Sequence, residues 1–415
     1  MIVGLIFGSR SVEHEISITT ASKAFEALRQ LSDWETLPVY ITKAGAWLTG
    51  PAIVRLLEVE AEGRAAKDPA RRKALQEDYK RRLQALAAGR EGEAAPVIFS
   101  PDPTRRGLHP DAAQRGWFRK AAAQALDVAF PTVHGTHGED GTLQGLFELA
   151  GLPYVGTGLA ASAAGMDKVQ SKLIFRGAGL PVLEAAWFSR REWLERERDV
   201  VARVEKTVAY PVVVKPAVAG SSVGIGRAGS REELGRAVRQ AIQFATRVLV
   251  ERAVEERLEI QCGVLGNHAL EVSLCEELVG RPGIVRFEDK YLRPAGQEDA
   301  DLAPSHIPAR IPEELAARVR ELAAEAFRAL DARGISRVDF LVDAQTRTPY
   351  VNELNTLPGS LCLRLFEASG LPPATLVRRL LDLALEAHKE KTATRFESEE
   401  GAGLVDKKHL MAPGK

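Results

Sequence analysis

The sequence predicts an α/β fold spread over several domains, and three observations carry that prediction. Short apolar runs alternate with helical patterns along residues 1–150, the arrangement that builds a mostly parallel sheet covered by helices. Hydrophobic residues make up 45% of the chain, enough to fill globular cores, which excludes a disordered or collagen-like protein. The 415 residues exceed one ordinary domain, and at roughly 100–200 residues per domain they make two to four.

In chain order, Ile2–Phe7 reads as a strand that ends in a turn at Gly8. It is apolar but lacks a basic leader, which points to a buried strand and not a signal peptide. Ser17–Leu31 reads as a helix, Thr36–Thr42 and Asp127–Val133 as further strands, and Leu143–Leu149 as a helix. Residues 52–95 interrupt the alternation with an Ala-, Glu- and Arg-rich helical excursion. Asp68 is placed to cap a helix opened by Pro69, with Leu75, Tyr79, Leu83 and Leu86 on one stripe and Gly89 at its end. Its mixed charges predict a solvated hairpin on the surface. Asp167–Ala178 is a helix, Val182–Phe188 and Pro211–Lys215 are strands, and Arg231–Phe244 is a helix after a Gly/Ser segment. Strands follow at Val248–Glu251, Glu259–Leu265 and Ala269–Leu274. A helix over Pro312–Arg333, with Gly334 past its end, precedes strands Ile335–Val342 and Tyr350–Leu354 and a helix Pro373–Lys389. Residues 391–415 are polar and aperiodic, the pattern of a flexible tail.

Composition narrows the function. The 56 basic and 56 acidic residues cancel, which argues against nucleic-acid binding through bulk charge. No apolar run approaches the roughly 18–20 residues that span a bilayer. Cys262, Cys275 and Cys362 are odd in number and lack CxxC spacing, the usage of a reduced, cytoplasmic protein.

The clearest chemistry lies near the C-terminus. Arg337 and Asp339 share one face of a strand, while Val338, Phe340 and Val342 face the other way. Glu353 and Asn355 share a face of the next strand. If the two strands pair, Asp339, Glu353 and Asn355 form a set of hard oxygen donors beside a fixed positive charge, as magnesium bound with substrate phosphates requires. Lys215 ends the apolar run PVVVKP and is followed by Gly220–Gly226, whose glycines and serines can bring donors close to phosphate. Lys168, at a helix start, is a second phosphate candidate. No Walker A pattern occurs. Gly224–Gly229 matches G-x-G-x-x-G, with Glu251 downstream, but nine residues separate it from its strand, so a dinucleotide site is disfavoured. Gly8–Ser17 lies in the crevice after the first strand, with Glu13 and His14 near a helix N-terminus. His134–Gly141 carries two histidines and two acids at a spacing that fits no tetrahedral zinc site.

These segments, in this order, resemble the D-alanine–D-alanine ligases of the ATP-grasp superfamily. The match covers most of residues 1–50 and 95–380 and is dense in HGTHGEDGTLQGLFELAGLPYVGTG, AGMDKVQSK, VVVKPAVAGSSVGI, RVDF and NELNTLPG. The resemblance implies an ATP-grasp fold: an N-terminal parallel α/β domain (1–165, with the excursion at 52–95), then α+β domains at 166–246 (a lid) and 247–390 (catalytic). It implies that ATP phosphorylates the carboxylate of one D-amino acid and that the amine of a second displaces phosphate, giving D-alanyl-D-alanine for cell-wall precursors.

The resemblance also implies roles for single residues. Asp339, Glu353 and Asn355 would hold two Mg²⁺ ions, for which Mn²⁺ can substitute. Lys168, Lys215 and the loop Ser221, Ser222, Val223, Gly224 would hold ATP phosphates, with Lys290 on the transferring one. Glu251, Arg252 and Val254 would line the adenine slot, and Glu259 would take the ribose hydroxyls. Arg337 and the Gly359 N–H would form an oxyanion hole. Glu13 would hold the ammonium of the first amino acid and His134 would lie near its carboxylate. Ser221 and Tyr291 would link Glu13 to a loop over the site. A homodimer through the N-terminal domain is implied as well.

Three departures stand out. Ser9 replaces one of a glycine pair, FEDKY replaces a longer YDYxAKY, and Arg364, followed by Leu365, occupies the place of a serine that binds the acceptor's carboxylate. Arg364 can fork a carboxylate, select another acceptor, or face solvent. Tyr291 leans towards an amine acceptor. The rival readings are a ligase for a different acceptor and an ATP-binding regulatory pseudoenzyme. Retention of Arg337 and the metal acids speaks against the second.

Overall fold

The computed structural model describes residues 1–90, 92–105, 107–111, 123–218, 220, 223–279 and 305–394, and within them three sheets follow one another along the chain. The first is built from β1 (Ile2–Gly8), β2 (Glu35–Ile41), β3 (Trp47–Thr49), β4 (Ala95–Phe99), β5 (Leu108–Pro110) and β6 (Val128–Pro131), in the order β5-β4-β3-β2-β1-β6. β1 runs parallel to both β2 and β6 at its centre. Its run of buried residues is what a strand covered on both faces needs. β3, β4 and β5 extend the sheet antiparallel. Strands of three to five residues are too short to show alternation, which is why the sequence did not reveal them.

The first crossover helix, α1 (His14–Leu28), is followed by α2 (Pro51–Ala65) and α3 (Pro69–Ala87). The excursion is therefore helical as expected, but it is not merely a surface hairpin. Ile53, Leu56 and Leu57 of α2 are fully buried in the same core as Ile18, Phe25 and Leu28 of α1. Only α3 is largely solvated, held by Tyr79, Leu83 and Leu86. Asp68 caps α3 by accepting from the N–H groups of Ala70 and Arg71 at 3.4 and 3.1 Å. Asp68→Ala should lower stability by about 1 kcal/mol, read from the urea midpoint at constant m-value. An unchanged midpoint would mean that water replaces the cap.

The second sheet follows α4 (Thr142–Leu149), α5 (Leu159–Met166) and α6 (Lys168–Gly177). It contains β7 (Ala185–Ser189), β8 (Val212–Pro216), β9 (Gly226–Ala228) and β10 (Arg247–Arg252), ordered β7-β10-β8-β9 and antiparallel throughout. Helices α7 (Arg190–Thr207) and α8 (Arg231–Ala241) cover it. Helix α7, not among the helices expected from the sequence, opens with a capping box formed by Ser189 and Glu192. β10 is hydrogen-bonded to β7 and β8, so this sheet reaches Arg252, past the boundary expected at 246. Conversely Phe175 and Leu180 pack with Phe327 and Leu330 of the last domain. Because β9 pairs with β8 as a hairpin, the G-x-G-x-x-G stretch lacks the strand-to-helix turn a dinucleotide site needs.

The third sheet has the order β14-β13-β11-β15-β16, from β11 (Arg257–Gly266), β13 (Glu276–Leu278), β14 (Ser305–His306), β15 (Gly334–Asp343) and β16 (Pro349–Asn355), with β12 (Glu271–Val272) paired to β11. Helix α9 (Glu313–Ala329) buries Val319, Leu322, Ala326 and Phe327 against it. After the short α10 (Leu363–Ala368), α11 (Pro373–Thr392) places Leu376, Val377, Leu380 and Leu381 in the core that holds α1. Helix α11 thereby ties the third sheet to the first domain. The rest of the expected tail, from 395, lies outside the described residues.

Candidate active site

β15 and β16 pair with Arg337 opposite Asn355 and Asp339 opposite Glu353, the register that the carboxylate reading requires. Val338 and Leu354 lie beneath in the core. Directly paired residues share a face, so both acids and Asn355 face one cleft of about 540 Å³. The cleft lies where the three sheets converge, and Glu13, Lys168, Lys215, Val254, Arg337 and Gly359 are among its walls.

Opposite charges are matched inside it. Arg337 forks Asp339 through Nε and an Nη at 2.6 and 2.8 Å. Burial opposes the Arg337 charge, but Asp339 more than offsets this and raises the guanidinium above its ordinary value. Asn355 donates Nδ2 to Asp339 at 3.1 Å. That bond leaves the amide oxygen as a further donor atom. Lys168 pairs with Glu353 at 3.2 Å, and despite burial Glu353 raises its ammonium. Lys215 contacts Glu251 and also donates to Asn352 Oδ1 at 3.0 Å. Glu251 meets a second lysine, Lys172, at 2.9 Å. Glu251 is 1% exposed; burial would raise its carboxyl, but the two lysines bring it down to about 2. Burial lowers the Lys172 ammonium.

Glu13 precedes α1 and points between two glycines. A Cβ on Gly135, whose φ is +68°, would sit 2.5 Å from Glu13 Oε2, and one on Gly220 would sit 2.9 Å away. Glycine at these positions makes the room for the carboxylate. Gly224 is constrained too: its φ is +73°, and a Cβ would strike Phe244 at 2.6 Å. A second acid not singled out from the sequence, Glu139, lines the cleft and accepts from the N–H groups of Gly135 and Leu357 at 2.7 and 3.3 Å. Burial and the nearby Glu13 charge push its carboxyl up to about 8.

His134 lies three residues past β6. It lines the cleft, but both ring nitrogens serve the protein: Nδ1 lies 3.1 Å from the Leu357 carbonyl and Nε2 lies 2.8 Å from the Thr20 hydroxyl. A carbonyl only accepts, so Nδ1 carries the proton and Nε2 accepts from Thr20. Burial lowers the imidazole to about 4, so it is neutral at pH 7 and supplies no cation for a carboxylate. Thr20 in turn accepts from the Ser360 N–H at 3.1 Å, and Lys23 donates to the Ser360 hydroxyl at 3.0 Å. These bonds hold an unusual turn. Ser360, Leu361 and Cys362 follow Gly359 with φ of 49°, 51° and 50°, a left-handed turn without glycine. Such a conformation costs roughly 1–2 kcal/mol per residue. Strain of this kind persists only where its surroundings fix it.

Other expected residues divide. Arg252, Val254 and Glu259 line the cleft, Glu259 accepting from Arg257 at 3.1 Å. Glu251 lines it too, with its carboxylate held by Lys172 and Lys215. The Val223 N–H donates to the Gly220 carbonyl at 3.2 Å. Ser221, Ser222, Lys290 and Tyr291 lie outside the described residues. Arg364 and Leu365 do not line the cleft. Arg364 is drawn to the buried Glu276 and to Ser305, and Leu365 is buried in the core below. The guanidinium expected at the acceptor's carboxylate is thus held by a carboxylate of the protein's own sheet. His14 is also structural, bonded to the Ser9 carbonyl at 2.6 Å and the Tyr40 hydroxyl at 3.0 Å. Ser9 holds the φ of 83° that a glycine would adopt freely.

Three sheets thus converge on one cleft of paired acids and cations. Residues 2–157 match the family model described as D-ala D-ala ligase N-terminus, and residues 174–382 match D-ala D-ala ligase C-terminus. The chain is 38% identical over 399 residues to the D-alanine–D-alanine ligase of Bacillus cytotoxicus, covering 95% of this chain and 98% of that one. It is 38% identical over 393 residues to the D-alanine–D-alanine ligase of Chloroherpeton thalassium, covering 94% and 97%. Among solved structures it resembles the D-alanine–D-alanine ligase of Coxiella burnetii, with a TM-score of 0.74 at 27% identity over 95% of this chain and 96% of that one. It also resembles the VanG D-Ala:D-Ser ligase of Enterococcus faecalis, with a TM-score of 0.72 at 28% identity over 92% and 99%. The chain belongs to the D-alanine–D-alanine ligase family. It is a ligase, and membership gives it the ATP-dependent joining of two D-alanines that the sequence led us to expect. Among the described residues, no helix is long and apolar enough to cross a membrane.

Proposed function

We propose that this cleft converts the carboxylate of one D-alanine to an acyl phosphate and delivers the amine of a second to it. In the first step a carboxylate oxygen bonds to the γ-phosphorus and the bond to the β-phosphate oxygen breaks. In the second, the amine nitrogen bonds to the carbonyl carbon, the carbon–oxygen bond to phosphate breaks, and the amine gives up a proton. The observation that carries this reading is the pairing of β15 with β16, which places two carboxylates, an amide and Arg337 on one face.

Asp339, Glu353 and Asn355 fit Mg²⁺ because all three offer hard oxygen atoms from neighbouring strands. Two such ions, or Mn²⁺ in their place, would neutralise phosphate charge. Lys168 and Lys215 would turn from Glu353 and Glu251 towards the phosphates, with Lys290 and the Ser221–Ser222 segment closing over them. The backbone of Glu251 to Val254, with Arg252, would bound the adenine, and Glu259 would accept from the ribose. Glu13 would accept from the ammonium of the first D-alanine, linked through Ser221 and Tyr291 to the closing loop. Arg337 and the Gly359 N–H would stabilise the developing oxyanion. His134 and Thr20 would act indirectly, by fixing the turn that carries Gly359. D-Alanine is the acceptor in this reading, since Arg364 is committed to Glu276. The homodimer through the N-terminal domain belongs to the same proposal, and sedimentation reads it directly.

Phosphate release from ATP with D-alanine, D-serine and D-lactate, singly and in pairs, tests the substrate assignment. Turnover with D-alanine alone is expected. Turnover only when another acceptor is added would overturn it, and none with any pair would favour the pseudoenzyme.

Glu139 gives a pH prediction. Its folded value, about 8, lies above the 4.5 of an ordinary glutamate. The folded state therefore holds a proton that the unfolded state releases, and stability from this group is lost as pH rises from 4.5 through 8. The Tm of the ligand-free protein should fall more steeply between about pH 5 and 8 than that of Glu139→Gln. Parallel curves would contradict the assignment.

A further inference from the structure

Of the cations around the cleft, Lys172 has no part in the chemistry described above, yet it is among the most enclosed. It stands one turn after Lys168 on α6, is 5% exposed, and reaches Glu251, which is 1% exposed. Glu251 is therefore shared by two lysines, Lys172 at 2.9 Å and Lys215 in direct contact. Two cations to one anion leave a positive excess in a buried place.

That ratio matters when Lys215 is called on elsewhere. A lysine held in a one-to-one buried pair cannot leave without stranding its partner, and an unpaired buried carboxylate is strongly destabilising. With Lys172 in place, Glu251 keeps a counterion after Lys215 departs. Asn352, which accepts from Lys215 at 3.0 Å, offers a neutral contact that is easily exchanged.

We infer that Lys172 is a positioning residue for nucleotide binding: it is the standing counterion of Glu251 that frees Lys215 to exchange its carboxylate for an ATP phosphate. The inference rests on the reading of Lys215 as a phosphate ligand and adds to it the group that makes the exchange possible. It confines the effect of Lys172 to ATP and makes it depend on the charge of Glu251.

The test is a double-mutant cycle on the full-length enzyme. Lys172→Met should raise the KM for ATP and the Kd for ADP by about tenfold or more, since Lys215 is then locked to Glu251. The KM for D-alanine should stay unchanged, and Lys172→Arg, which keeps the charge, should behave like the wild type. In a Glu251→Gln background there is no carboxylate left to strand, so adding Lys172→Met should change the ATP KM by no more than about twofold. This comparison also decides the matter if Lys172→Met alone does not fold, because the doubly neutral pair removes the stranded charge. The inference is overturned if Lys172→Met lowers Tm but leaves the ATP KM unchanged, or if it weakens ATP equally in both backgrounds. Lys215→Met is the separate control. An unchanged ATP KM there overturns the phosphate-ligand reading itself, whereas a large loss there beside an inert Lys172→Met overturns only the role of Lys172.

Discussion

Arg337→Met should lower kcat by about 10³-fold while changing the KM for ATP far less. The side chain is fixed in place by a fork to Asp339 at 2.6 and 2.8 Å and faces the cleft beside Gly359. Its charge would serve when the carbonyl oxygen becomes an oxyanion, which exists only as the amine attacks. An interaction confined to that moment affects kcat and leaves substrate binding alone. Methionine keeps most of the volume and removes the donors, and Asp339 then keeps Asn355 as a neutral partner. Arg337→Lys should recover part of the loss, because an ammonium restores charge without the planar fork. Steady-state kinetics at saturating ATP and D-alanine provide the check. A kcat for Arg337→Met within about tenfold of the wild type would remove Arg337 from the oxyanion site.

The second large effect is expected at Glu353. Glu353→Gln should abolish turnover by taking one of two carboxylates from the metal site. The same change also takes its charge away from Lys168, whose ammonium pairs with Glu353 at 3.2 Å. Mn²⁺ binding in the presence of ADP, followed by water-proton relaxation, reads the metal site without depending on turnover. Near-normal activity, or unweakened Mn²⁺ binding, would contradict the assignment.

How much of this was legible in the sequence depends on the range of each interaction. The acids of β15 and β16 were readable because a period of two fixes a face and the strands adjoin in the chain, so the register of Asp339 against Glu353 followed from one assumption of pairing. Asp68 and Pro69 announced α3 through purely local capping chemistry. Lys172 was within reach of the same reasoning, since it stands four residues after Lys168 on an expected helix. What its ammonium meets, a glutamate 79 residues away in sequence on β10, was not. The link from His134 through Thr20 to Ser360 joins three distant segments, and no spacing rule connects them. Glu139 stood in view within HGTHGEDG but was passed over as a member of an unconvincing zinc set. Arg364 shows the opposite case: its place in the chain suggested a ligand contact, and the tertiary pairing with Glu276 absorbed it.

The central step assigned to the cleft is formation of an acyl phosphate. D-Alanine labelled with ¹⁸O in both carboxylate oxygens, turned over with unlabelled ATP, tests this directly by mass spectrometry of the released phosphate. The oxygen that bonds to phosphorus must leave with it, so one ¹⁸O should appear in phosphate for each D-alanyl-D-alanine formed. Dipeptide formation with unlabelled phosphate would show that the carboxylate is never phosphorylated and would contradict the role assigned to the site.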